Sequence, residues 1–256
     1  MIQFTEADVA RLWPCPDPYS DKYSRGVVGV DTGSVTYPGA GVLSVLGALY
    51  SGAGFIRYAG PDSVRAAIVS QAPSVTFGRG RVQAWLVGSG WDVHDGTERM
   101  QAALAARVPL VVDAGALQRL PSTLPTGSLL TPHIGELARL LGADVAQVSA
   151  DPGAHALQAA QRWNVSVLVK GHNQYVARPD GEVAQAVGGP AWTAQAGSGD
   201  VLAGIAASVL ASGCDGYTAG LLAASIQAMT ATRHPGPYPP DALARFLPEV
   251  IGSLVA

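Results

Sequence analysis

The sequence predicts an α/β fold, a mostly parallel central sheet flanked by helices. Two observations predict it. Short β-branched apolar runs recur along the chain, and stretches with apolar residues three and four apart separate them. The runs are also near-continuously apolar, as strands buried on both faces require.

Each element follows in order. Thr5 before "EADVARLW" reads as a capped helix, and "PCPDPYS" as an extended arm. "GVVGVD" (26–31) is a strand that ends in the turn "TGS", and "GAGVLSVLGALYSG" follows at helical spacing. "AGFIRYAG", "PSVTF", "AWLVGSG" and "VPLVVDAG" read as strands, with the helix-patterned "TERMQAALAARV" between the last two. "SLLTPH" leads into the helical "IGELARLLG", and "DPGAHALQAAQRW" into the strand "SVLVKG". The rhythm then changes. "QYVARPDGEVAQAV" reads as two strands joined by a turn at 179–181, forming an antiparallel edge to the sheet. A glycine-rich helix entrance, the helix "YTAGLLAASIQAMTATR", a proline-rich loop and a final helix complete a chain without a composition break. One domain over 1–256 is expected.

Composition narrows the function. The chain has 256 residues, 48% hydrophobic and only 14% charged, which suits one large α/β core. A net charge of −3 gives no reason to expect nucleic acid or an anionic membrane as partner. Cys15 and Cys214 match no metal spacing and no disulfide framework, so a cytoplasmic location is expected. The first residues carry acids among apolar side chains, unlike a signal peptide, and the longest apolar stretch, "VLAGIAASVLASG", is too short to span a bilayer.

In open α/β sheets ligands bind beyond the carboxyl ends of the strands. Four polar clusters occupy such ends: "DTGSVTYPGA", "GSGW", "TPHIGE" and "VKGHNQ". A fifth, "AGSGD", opens a helix. Its glycines allow an anion to approach unpaired N–H groups, and Asp200 either caps that helix or serves as a base beside the anion. His133 is a cap or a hydrogen-bonding partner of a polar substrate. Glu136 complements a helix dipole or holds a water on Mg²⁺. Lys170 snorkels to solvent or reaches a phosphate. Asp31, Asp92 and Asp113, which also end strands, read as turn formers.

Together the clusters "YPGA", "TPHIGE", "VKGHNQ" and "AGSGDVLAG" resemble those of the ADP-dependent NAD(P)H-hydrate dehydratase family, a branch of the ribokinase-like fold. The resemblance covers nearly the whole chain. "GSGD" belongs to the wider kinase superfamily, whereas the kinases usually place asparagine where His133 stands. The resemblance implies a three-layer sandwich and repair of nicotinamide nucleotides. The S-form of hydrated NADH or NADPH would be dehydrated at the expense of ADP (or ATP), giving AMP and phosphate. It implies that Ala40, Gly90, His133 and Asp200 contact the hydrated dinucleotide. Lys170, Gly171, His172, Asn173, Gln174, Gly197, Ser198 and Gly199 would hold the adenine nucleotide, and Glu136 would place Mg²⁺ through water. Asp200 would be the catalytic base, and the chain would form a homo-oligomer, a tetramer in this family. A small-molecule kinase of the same fold would use the same acid, and a non-catalytic nucleotide-binding domain is the third reading. The chain departs from the family pattern at Ile134, at Gln174, at Gly115 and Gln118, and at Trp91, which is expected to add bulk near the substrate.

Overall fold

The computed structural model describes residues 1–92 and 96–255. Its strands are β1 (Ile2–Gln3), β2 (Val27–Asp31), β3 (Phe55–Tyr58), β4 (Thr76–Phe77), β5 (Ala84–Val87), β6 (Leu110–Val112), β7 (Leu129–Leu130), β8 (Ser166–Val169), β9 (Tyr175–Ala177) and β10 (Val183–Gln185). The helices are α1 (Glu6–Leu12), α2 (Pro38–Tyr50), α3 (Arg65–Gln71), α4 (Gly96–Leu104), α5 (Ile134–Leu141) and α6 (Val145–Ala150). They continue with α7 (Pro152–Trp163), α8 (Ser198–Ala211), α9 (Gly216–Arg233), α10 (Pro240–Ala244) and α11 (Leu247–Val255).

The strands form one sheet in the order β1-β10-β9-β8-β7-β6-β5-β2-β3-β4. All pairings are parallel except those of β9 with β8 and β10. Every residue of β2, β5, β6, β7 and β8 is buried, as their apolar runs predict. Alternation along the pleat divides their side chains between two cores. Val28, Val30, Ala84, Leu86 and Val111 face α1, α2, α8, α9 and α11, while Trp85, Val87, Leu110 and Val112 face α4, α5, α6 and α7. The expected three-layer α/β arrangement is therefore present.

Three expectations change. The predicted hairpin forms, with its turn closed by Gly181 N–H donating to Arg178 O at 3.1 Å, but it is not the sheet edge. β1 pairs in parallel outside it, Ile2 opposite Ala184, and a two-residue strand carries no readable periodicity. The final helix is two, α10 and α11, and the short helices α3 and α6 escape the sequence reading. Thr5 does cap α1: its hydroxyl accepts from Asp8 N–H, and Asp8 reaches back to the Thr5 N–H.

α8 explains the longest apolar stretch. Every residue from Val201 to Ala211 is buried, so this helix is apolar all round because it lies within the protein. Among the described residues no helix is long and apolar enough to cross a membrane. Small residues let α8 lie almost backbone to backbone on α2. A Cβ on Gly47 would stand 2.2 Å from Val201 O, and one on Gly204 would stand 2.2 Å from Ser44 O. Gly204→Ala should therefore lower stability by about 1–3 kcal/mol, the usual cost of overpacking. A melting temperature equal to that of the parent chain would count against this contact.

Candidate active site

β2, β5, β6, β7 and β8 are mutually parallel, so their carboxyl ends share one rim. The segments after β7 and β8 stay paired beyond the strands: Lys170 N–H donates to Pro132 O at 2.8 Å, and His133 bridges Lys170. "TPHIGE" and "VKGHNQ" thus lie side by side.

Between them and β5 sits Asp113, 1% exposed. Its carboxylate accepts from Ser89 Oγ (2.8 Å), Thr131 Oγ1 (2.8 Å) and Lys170 Nζ (2.7 Å). A buried charge requires this many partners. Asp113 is therefore no turn former: it anchors Lys170. Burial alone would depress the Lys170 pKa, but Asp113, Glu136 and Asp200 outweigh it and hold the ammonium above its ordinary value. Lys170 thus stays charged at the rim and does not snorkel away from it.

The tip of α8 lies next to that ammonium. A Cβ on Gly199 would be 3.4 Å from Lys170 Nζ. Gly197 is the N-cap residue at φ +94°, a left-handed conformation that suits glycine, and no side chain caps this end. Among the described residues nothing accepts a hydrogen bond from the amides of Gly199 and Asp200. These open donors and the positive end of the helix dipole are suited to receive an anion. From α9, Gln227 Nε2 donates to Ser198 O at 2.9 Å and braces the tip.

Asp200 lies close enough to Lys170 and Asp113 for their charges to act on its carboxylate. No hydrogen bond from a described residue reaches its carboxylate. Burial, then the charge of Asp113, raise its pKa against the attraction of Lys170, to about 7. A carboxyl with that pKa and without partners is poised to exchange protons near neutral pH.

A cavity of about 520 Å³ opens beside the tip. His133, Lys170, Gly171, His172, Gln174, Ser198 and Gly199 line it, seven of the residues singled out from sequence. Two others do not. Asn173 is exposed and accepts from Gln185 Nε2 at 3.4 Å, and Gly197 packs against Leu43. Gln174 Oε1 is buried with no partner, an acceptor left for something that enters the cavity. Gln227 also lines it, although no local motif marks that residue.

The capping reading of His133 is the one the structure shows. The residue is the N-cap of α5, its Nδ1 accepting from the N–H groups of Gly135 (3.0 Å) and Glu136 (3.3 Å). That bonding places the neutral ring's proton on Nε2, on a side chain 58% exposed at the cavity. Glu136 completes the box by accepting the His133 N–H through Oε2 at 2.8 Å. Its other oxygen is uncommitted apart from a 3.6 Å approach to His133 Nε2.

Ala40 and Gly90 meet each other. A Cβ on Gly90 would fall 2.5 Å from that of Ala40. Gly90 follows Ser89, which is bonded to Asp113, and Ala40 lies in the first turn of α2, the helix packed along α8. Trp91 does not add bulk there. It is 6% exposed, its indole N–H donates to Asp31 O at 2.8 Å, and Arg99 covers its ring at 4.5 Å. Asp31 is likewise more than a turn former, being fully buried between Arg79 and Arg99.

Among the described residues no group of three His, Cys, Asp or Glu side chains can enclose a metal ion. The donor set instead suits Mg²⁺ carried on phosphates, which takes one or two carboxylates or waters from the protein, and Glu136 has an oxygen to give.

Comparison with known proteins follows this geometry. The family model described as NAD(P)H-hydrate dehydratase matches residues 28–247. The chain is 40% identical over 225 residues to the bifunctional NAD(P)H-hydrate repair enzyme Nnr of Mycobacterium tuberculosis, covering 83% of this chain and 46% of that protein. It thus spans about half the length of that relative. It is 35% identical to the ADP-dependent (S)-NAD(P)H-hydrate dehydratase of Xanthomonas campestris pv. campestris, covering 86% of this chain and 84% of that one. The crystal structure of the ADP/ATP-dependent NAD(P)H-hydrate dehydratase from Bacillus subtilis, co-crystallised with ATP/Mg²⁺, superposes with a TM-score of 0.90 at 28% identity, over 99% and 98% of the two chains. Site and fold thus lead to one assignment: the chain belongs to the NAD(P)H-hydrate dehydratase family.

Proposed function

We propose that this chain is an ADP-dependent dehydratase that returns the S-form of hydrated NADH or NADPH to NAD(P)H, releasing AMP and phosphate. One observation carries the reading: Asp200, with its pKa near 7, stands unpaired at an open helix tip beside the Lys170 ammonium. The names of the relatives favour dehydration over the kinase alternative.

The chemistry follows from the groups. Hydroxide is a poor leaving group, and a phosphoryl group improves it. The substrate hydroxyl oxygen bonds to the terminal phosphorus of ADP, the bond from that phosphorus to AMP breaks, and Asp200 takes the hydroxyl proton. The Gly199 and Asp200 amides and Lys170 stabilise the charge on the moving phosphoryl oxygens. The ring nitrogen's lone pair then expels phosphate, and loss of a proton from the adjacent ring carbon restores the dihydropyridine. Lys170, Gly171, His172, Gln174, Ser198 and Gly199 hold the nucleotide in the cavity, with Asn173 and Gly197 shaping the loops around them. Ala40, Gly90 and His133 hold the hydrated ring. Glu136 holds Mg²⁺ through water, and the ion supplies charge neutralisation at the phosphates when bound.

The same reading makes the chain one functional unit over 1–256, acting in the cytoplasm as a homo-oligomer, a tetramer by resemblance. Its two free cysteines suit a reducing compartment. The deciding assay adds hydrated NADH to the protein with ADP and Mg²⁺ and follows dihydronicotinamide absorbance. Absorbance should return only with nucleotide present. Accumulation of a stable phosphorylated alcohol would instead establish a kinase.

A further inference from the structure

A second polar cleft opens on the same rim, away from the nucleotide cavity. It has a volume of about 690 Å³ and is bordered by Asp31, Ala59, Gly60, Pro61, Arg79 and Arg99. Its floor is the buried Asp31 carboxylate, which accepts from Arg79 Nη2 (2.6 Å) and Arg99 Nε (2.7 Å). One carboxylate thus faces two guanidinium groups, and a positive charge is left over between them.

Both cations are held in place. Arg99 also donates from Nη1 to Gly33 O at 3.0 Å and lies over Trp91, while Arg79 lies over Trp85 at 5.0 Å. The Arg79 side chain remains 38% exposed, and its other N–H groups meet no acceptor among the described residues. The Arg99 nitrogens are all turned to Asp31 and Gly33 O, so Arg79 offers the open donors, and a preoriented guanidinium is well matched to a phosphate ester. Glu98 also borders the cleft from the exposed first turn of α4 and opposes an anion there.

The cleft's position bears on its ligand. Asp113 ends β6 and the cleft lies above β2 and β3, two to three strands along the sheet. At 4.7–4.9 Å per strand that is about 9–15 Å, a distance a folded dinucleotide spans. Gly33 and Gly90, which approach each other between the two places, mark the path.

We propose that Arg79, backed by the charge of Arg99, binds the phosphomonoester at the far, adenosine end of the hydrated dinucleotide, so that this chain prefers the 2′-phosphorylated hydrate of NADPH to that of NADH. The proposal rests on the dehydratase reading, and its test separates the two. Arg79→Gln should raise KM for hydrated NADPH at least tenfold, leave kcat within twofold, and leave both constants for hydrated NADH unchanged. Glu98→Gln should lower KM for hydrated NADPH. Equal KM changes for the two hydrates in Arg79→Gln, or none for either, would overturn the assignment. Calorimetry gives a readout independent of turnover: adenosine 2′,5′-bisphosphate should bind the parent chain and lose at least tenfold in affinity with Arg79→Gln, while 5′-AMP binding stays constant. If neither hydrate turns over yet the bisphosphate loss appears, the dehydratase reading fails and the phosphate site stands. If the bisphosphate binds both proteins equally, the site fails whatever the activity.

Discussion

Asp200→Asn should lower kcat by about 10²–10⁴-fold, the usual contribution of a positioned general base, with little change in nucleotide affinity. The same variant should be more stable than the parent at pH 8. The folded chain holds this carboxyl at about 7 against an ordinary value of 3.8, so folding favours the protonated form. Below pH 3.8 the group is neutral in both states and costs nothing. As pH rises towards 7 the unfolded chain ionises first and folding stability falls, and above 7 the whole loss is in place. Asparagine keeps the neutral form at every pH. At about 1.4 kcal/mol per unit the gain has an upper bound of a few kcal/mol, or roughly 2–4 °C in melting temperature per kcal/mol. The difference in melting temperature should shrink as both proteins are taken to pH 4. In the parent, kcat should fall below about pH 7 as Asp200 takes up a proton. Substantial turnover by the variant would remove Asp200 as the base, and equal melting temperatures at pH 8 would contradict its burial.

Asp113→Ala should cost the most in stability. It removes the 2.7 Å partner of Lys170 and leaves an ammonium in a largely enclosed place, along with two hydroxyl donors whose acceptor has gone. Breaking such a buried pair costs about 3–5 kcal/mol. The melting temperature should drop by roughly 10 °C, at about 2–4 °C per kcal/mol. Asp113→Asn retains acceptor capacity and should cost less. Its more telling effect concerns Asp200, which loses a repulsive neighbour and gains a larger share of Lys170. The acidic limb of the rate profile should therefore move below pH 7. A purely structural role would lower activity without moving that limb, so an unshifted profile in Asp113→Asn would show that Asp113 does not tune the base.

The alternation of apolar runs and helical stretches made the layers readable, because strands buried on both faces and helices buried on one leave different periods in the sequence. The α8 tip was readable for a similar reason. Gly197 to Asp200 offer their own backbone and an adjacent side chain, so their spacing marks a candidate anion site directly. "TPHIGE" is also local: His133 and Glu136 cap one helix, three residues apart. The resemblance to a family rests on these short segments, and seven residues drawn from them line one cavity.

What the linear order left hidden is long in range. Asp113 and Lys170 lie 57 positions apart and meet because β7 alone separates β6 from β8 in the sheet. Asp31 finds Arg79 and Arg99 at separations of 48 and 68, and Trp91 turns inward because Asp31 O accepts its indole N–H. An aspartate after a strand looks the same in a turn as in a buried ion pair, since the cost of burying it is met by partners supplied through strand order. The sequence by itself therefore determined the layers, the helix tip and its acid. Only the tertiary structure decided which cations the buried carboxylates hold, and through them the protonation of Asp200 and the second charged cleft, because charges interact through space and not along the chain.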